Sequence, residues 1–192
     1  MIYQFKIQIK GITKPPVWRK IIMPSTFTFG QFHLAIQIAF GWEMEHLYFF
    51  SPKGYQSEPI IESHEYDDEL LNEHSIDADK IKLNKIFISE KQTYVYLYDF
   101  GDDWIHTITL EKILPDVILF PKILAGKGQC PPEDCGGPWG YEDLKTILAD
   151  PHHEEYESYA DWLGLEKGEK WDAEEFDIDE KNNIMLSVFA NK

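Results

Sequence analysis

Nine residues in mid-chain, Tyr98-Asp99-Phe100-Gly101-Asp102-Asp103-Trp104-Ile105-His106, bring three carboxylates, an imidazole and three aromatic rings together. Asp99, Asp102 and His106 offer oxygen and nitrogen donors of the kind that hold a divalent ion, and with it a metal-dependent hydrolase. The same residues have a plainer use. An Asp beside Gly commonly caps the backbone N–H groups of a turn, and a histidine between strand residues packs into a core. A second stretch, Cys130-Pro131-Pro132-Glu133-Asp134-Cys135, separates two cysteines by four residues, a spacing from which both thiolates can reach one zinc. Two further ligands would have to come from His46, His106, or His152 with His153. The alternative is a pair of buried thiols packing a Gly/Pro loop. A third stretch, Gly136-Gly137-Pro138-Trp139-Gly140-Tyr141, leads into a helix as anion-cradling loops do. It has no Lys-Ser/Thr element, however, and Glu133-Asp134 just before it would oppose a phosphate. It reads as a tight turn packed by Trp139 and Tyr141.

The elements that position these residues follow from periodicity. Ile2 to Ile9 alternate, with Tyr3, Phe5, Ile7 and Ile9 on one face, and Val17 to Ile22 form a second strand after Pro15-Pro16. Thr28 is a candidate N-cap, and Phe29, Phe32, Ile36, Ala39 and Phe40 recur at helical spacing up to Gly41, leaving Gln31 and Gln37 off the stripe. His46–Phe50 reads as a short strand, residues 55–80 as an acidic irregular excursion with one helical turn, and Ile81–Phe87 as a turn of helix. Strand formers at Thr93–Leu97 and Thr107–Leu110 flank the acidic tip. They predict a hairpin in which Gly101-Asp102 supplies the positive-φ geometry. Residues 128–141 hold too many Gly and Pro for a regular element, so a helix is expected from Tyr141 to Leu148. Another runs to Leu163, with Gly164 closing it. Trp171 and Phe176 anchor the acidic tail. The expectation is one α+β domain over residues 1–192: a mainly antiparallel sheet around a central hairpin, one N-terminal helix packed on it, and C-terminal helices.

Composition narrows the function. With 34 Asp and Glu against 18 Lys and Arg, the formal charge is −16, which repels phosphate backbones and argues against direct nucleic-acid binding. No apolar run reaches the length of a membrane span, and no signal segment opens the chain, so a cytoplasmic, membrane-free protein is expected.

In order along the chain, Trp18-Arg19, Trp42 with His46-Leu47, Tyr98 to His106, Cys130 to Tyr141, Asp150-Pro151 and the Phe176-Asp177 tail form a distinctive set. In this set the chain resembles the plasmid pRiA4b ORF-3-like family over essentially its whole length. The resemblance implies a bacterial and archaeal domain often carried on plasmids or mobile elements, sometimes fused to a DNA-binding domain. Some members are labelled candidate transposon resolvases, but no catalytic residue carries over. A serine-recombinase site is excluded by composition, because such a site needs several arginines around the scissile phosphate and this chain has only Arg19.

The leading expectation is therefore a non-catalytic binding domain for a protein segment or small ligand. Its groove would lie between the hairpin tip and the Cys130–Tyr141 loop, lined by Trp18, Trp42, His46, Asp99, Asp102, Trp104, His106, Trp139 and Tyr141. No cofactor is required, although zinc or another divalent ion on Cys130, Cys135 and His106 stays open. The alternatives are the metal-dependent hydrolase on Asp99, Asp102 and His106, and an accessory factor acting in DNA transactions through a partner protein.

Overall fold

A computed structural model describes residues 1–64 and 74–191. Eight strands form one sheet in the order β5-β4-β3-β6-β7-β1-β2-β8, antiparallel except for the parallel pair β4/β5. The opening pair is β1 (Ile2–Ile9) and β2 (Trp18–Pro24). After α1 (Phe29–Phe40) come β3 (Tyr48–Ser51), β4 (Ile61–Glu62), β5 (Ile76–Asp77) and the short α2 (Leu83–Ile86). The central hairpin is β6 (Thr93–Tyr98) and β7 (Trp104–Leu114). Then follow β8 (Lys122–Lys127), α3 (Gly137–Ala149), α4 (Tyr156–Trp162) and α5 (Ile178–Ala190). The architecture is α+β, as the periodicity predicts. Within the excursion of residues 55–80 the chain makes two short strands, and residues 65–73 of that reading lie outside the described residues.

Helix α1 starts at Thr28 through a reciprocal capping box with Gln31 and stops at Gly41, whose φ of 92° provides the left-handed cap. The stripe expectation leaves Gln37 on a wet face. Instead Gln37 is fully buried, because the sheet covers one side of α1 and α5 packs on another. The core is aromatic: Phe5, Phe29, Phe32, Phe50 and Phe87 pack edge to face or offset between α1 and the sheet.

The sole arginine holds three elements together. Arg19 Nε donates to Ala39 O at the α1 C-terminus, Nη1 to Trp18 O and Lys127 O, and Nη2 to Gly128 O, all within 3.0 Å. Its guanidinium lies 3.8 Å from the ring centre of Phe176, which anchors the tail; Trp171 meets Tyr141 edge-on. The Phe176 ring also covers Gly126, leaving no room for a side chain there. Burial lowers the Arg19 pKa to about 10.

Two elements depart from the sequence reading. One edge of the sheet is β8, a strand the glycine-containing Lys122–Gly126 stretch does not announce. The Asn182 amide of α5 covers it, exchanging hydrogen bonds with Ile123 N and O at 2.8 and 3.0 Å. Helix α3 begins at Gly137, inside the Gly/Pro loop, rather than at Tyr141. Gly136 takes φ 89° as the N-cap and Pro138 falls in the first turn, where its missing N–H costs nothing.

Candidate functional site

The Cys130–Tyr141 loop lies directly on the hairpin tip. Asp102 Oδ2 accepts from Gly136 N–H at 3.1 Å, and a Cβ on Gly137 would stand 2.5 Å from the Asp102 carbonyl oxygen. The approach is close enough to require glycine there. Trp42, stacked 5.0 Å from Tyr98, donates its indole N–H to Pro131 O at 2.9 Å. Glu133 is held from two sides: Tyr98 donates its hydroxyl to the carboxylate at 2.9 Å, and Glu43 N–H donates to Oε1 at 2.8 Å. Burial, and then the Glu133 carboxylate, push the Tyr98 hydroxyl well above its ordinary pKa, so it stays a donor.

The tip itself is wound differently from the sequence reading. Positive φ falls on Asp99 (57°) and Asp103 (55°), not on Gly101-Asp102. Aspartate tolerates this region when its side chain bonds the local backbone, and Asp99 Oδ1 accepts from Gly101 N–H at 2.8 Å. Asp103 accepts from the Tyr55 hydroxyl. The left-handed turn leaves Asp99 Oδ2 free to face His46, which arrives from the segment between α1 and β3.

His46 Nε2 stands 3.2 Å from Glu133 Oε2, 3.3 Å from Asp134 Oδ1 and 3.8 Å from Asp99 Oδ2. None of these pairs has hydrogen-bond geometry, and Nε2 is shut off from solvent. The ligand atoms of His46, Asp99 and Asp134 all lie within 4.8 Å of one another, the one such grouping of three among the described residues. One imidazole nitrogen with carboxylate oxygens is a donor set for a divalent ion.

Glu133 and Asp134 also form part of the wall of a cleft of about 600 Å³. Its floor is α1's end and the Cys130–Pro132 backbone, and its opposite wall is the tail from Trp162 to Lys181. Trp42, Trp162, Trp171 and Phe176 supply aromatic surface. Glu43, Glu133 and Asp134 on one side face Glu169, Glu175, Asp177 and Glu180 on the other. Against these stand Arg19, committed to carbonyls, Lys181, paired with Glu180 at 3.3 Å, and Lys170.

Of the nine residues expected to line a groove, the structure brings His46 and Asp99 together and sets Asp102 beside them as the tie to Gly136. Trp42 is buried, with part of its surface on the cleft floor. Trp104, His106 and Tyr141 lie inside the core and present nothing to a ligand, because their strand and helix faces turn toward α1 and the loop. Trp18 is half-buried under the Lys6 ammonium. Trp139 is 85 % exposed, beside a separate hollow formed with Lys10, Ile105 and Pro138.

Neither metal set expected from the sequence gathers. His106 Nδ1 meets Trp104 O at 2.9 Å and its ring is boxed by Phe40, Trp42 and Tyr96, away from the carboxylates around His46. Asp99, Asp102 and His106 therefore do not converge. Cys130 and Cys135 are free, partly buried thiols. Burial holds both protonated, Cys135 with its pKa pushed up to about 12, and they form no cluster with His106 among the described residues. Sequence reasoning missed Glu133 and Asp134 as partners of His46, and the tail as a cleft wall. The available signal was the Glu-Asp pair on a Pro-stiffened loop.

Fold and site define an antiparallel α+β domain with an imidazole–carboxylate cluster at the edge of an acidic, aromatic cleft. The chain belongs to the plasmid pRiA4b ORF-3-like protein family, whose pattern matches residues 1–180. It is 36% identical over 165 residues to "Uncharacterized protein y4hQ" of Sinorhizobium fredii (strain NBRC 101917 / NGR234), spanning 85% of this chain and 81% of that one. It is also similar to the crystal structure of the protein of unknown function MM3350 from Methanosarcina mazei Go1. There the TM-score is 0.77 at 37% identity, covering 93% of this chain and 96% of that chain. Among the described residues no helix is long and apolar enough to cross a membrane.

Proposed function

We propose that this protein is a binding domain whose cleft takes a small organic cation with a flat, apolar body. The observation that carries the reading is the lining of the roughly 600 Å³ cleft: aromatic walls and seven acidic side chains against three basic ones. That volume suits a small molecule. Carboxylates set around aromatic faces favour an ammonium or guanidinium group, with cation–π attraction adding about 0.5–2 kcal/mol. The chain already uses this chemistry in the stacking of Arg19 on Phe176.

A charge series on one ring system tests it. Tryptamine, 3-ethylindole and indole-3-propionate present a cation, a neutral group and an anion on the same indole. Calorimetric titration is expected to rank them in that order, each step weaker by about fivefold at low salt, in line with about 1 kcal/mol per charge change. Equal or tighter binding of the anion, or no binding of tryptamine at millimolar concentration, would overturn the reading.

A second reading, metal-dependent hydrolysis, draws support from Asp134, which belongs both to the cluster around His46 and to the cleft wall. An ion there would face the cleft and any ester or amide bound in it. Metal-dependent turnover of p-nitrophenyl esters, lost in Asp134→Asn, would favour this reading over simple binding.

A further inference from the structure

We infer that His46, Asp99 and Asp134 form a binding site for a first-row divalent transition ion such as Zn²⁺ or Mn²⁺. The site borders the cleft through Asp134, and the inference does not depend on the organic-cation reading of that cleft.

Spacing is the first argument. Bonds of about 2.0–2.2 Å in a tetrahedral shell place ligand atoms about 3.3–3.6 Å apart. The His46 Nε2 separations of 3.3 Å to Asp134 and 3.8 Å to Asp99 bracket that range. The second argument is the nitrogen itself. Nε2 is closed to water and meets its carboxylate neighbours at 3.2–3.8 Å without hydrogen-bond geometry, so it is short of the directed partner a polar atom normally has there. An ion at the centre of the group supplies that partner.

Charge gives the third argument. Asp99 and Asp134, with Glu133 3.2 Å from the same nitrogen, place three carboxylates around one imidazole. Even an imidazolium leaves this group net negative, and like charges at such separations repel unless a cation lies between them. Glu133 is fastened by Tyr98 and Glu43, so it stands beside the shell as a fixed neighbour and steadies the loop that carries Asp134. Asp99 is steadied by its Oδ1 bond to Gly101.

The donor types select the metal. An imidazole nitrogen suits Zn²⁺, Mn²⁺ or Fe²⁺ over Ca²⁺ and Mg²⁺, which prefer all-oxygen shells. Three protein ligands with Asp134 on the solvent side leave coordination positions open, the pattern of sites where a metal meets a further ligand.

The test uses the full chain, stripped with EDTA and desalted, titrated calorimetrically with Zn²⁺, Mn²⁺, Ca²⁺ and Mg²⁺. Co²⁺ loading is followed by visible absorption. One equivalent of Zn²⁺ or Mn²⁺ should bind at least tenfold tighter than Ca²⁺ or Mg²⁺. His46→Ala and Asp134→Asn should each weaken it at least tenfold, and Cys130→Ser with Cys135→Ser should leave it unchanged. Asp134 is largely exposed, so Asp134→Asn keeps the test valid if His46→Ala fails to fold. Binding that survives both variants, that disappears with the cysteines, that shows no preference over Ca²⁺, or that is absent altogether would overturn the inference.

Discussion

Asp99 carries two tasks on two oxygens. Oδ1 caps Gly101 N–H in a left-handed turn, while Oδ2 faces His46. The two are separable. Asp99→Asn retains a cap oxygen and the tolerance for positive φ, so stability should stay within about 0.5 kcal/mol while Zn²⁺ affinity falls at least tenfold. Asp99→Ala loses both and should also cost about 1–2 kcal/mol by urea denaturation. If Asn and Ala variants bind the ion as well as the parent, Asp99 is a turn residue alone. At this scale the sequence is half legible. An Asp next to Phe-Gly in a hairpin tip announces a backbone cap, and it does cap. What spacing cannot announce is the direction of the second oxygen, because that depends on a left-handed φ at Asp99 itself and on His46, 53 positions earlier in the chain.

Among the elements, the contact that makes the site is the Cys130–Tyr141 loop seated on the β6–β7 tip. Gly137 is its tightest point, with φ 68° and the Asp102 carbonyl where a side chain would begin. Gly137→Ala should therefore cost about 2 kcal/mol or more in urea and weaken ion binding together. Unchanged stability would mean that loop and tip do not approach so closely. The elements that local pattern governs are the ones legible in the sequence: β1 and β2 by alternation, α1 by Thr28 and Gly41, and the hairpin by its flanking strand formers. Those that escaped depend on neighbours. Strand β8 contains Gly126 because Phe176 and Arg19 fill the space above it, and α3 starts early because Gly136 caps it and Pro138 fits its first turn. The sequence reading put Trp104 and Tyr141 in a groove; both went to the core, and the cleft's rings are Trp42 with Trp162, Trp171 and Phe176 from the C-terminal third.

Over the molecule as a whole, two buried imidazoles set the response to acid. Tyr96 OH accepts from Gln37 Nε2 and shares a 2.8 Å hydrogen bond with His33 Nδ1, which fixes the His33 ring inside the core. Burial lowers the pKa of both His33 and His106 to about 3. The unfolded chain binds these protons near pH 6.5, whereas the folded chain does so only near 3. Stability is thus complete above about pH 6.5 and is lost as pH falls toward 3, by about 2 kcal/mol per ring at pH 5. Urea midpoints at pH 7.5 and 5.0 should show a smaller loss for His33→Gln than for the parent, and parallel losses would contradict a buried neutral His33. The same molecular view finds a local acid excess: seven acidic side chains from the end of α1, the loop and the tail line one aromatic cleft against three basic ones. The most direct measurement of that claim is the tryptamine affinity of the chain against its Glu43→Gln, Glu175→Gln double variant in EDTA. The account predicts a loss of about fivefold or more at low salt that shrinks as salt is raised. Equal affinities in parent and variant would contradict it.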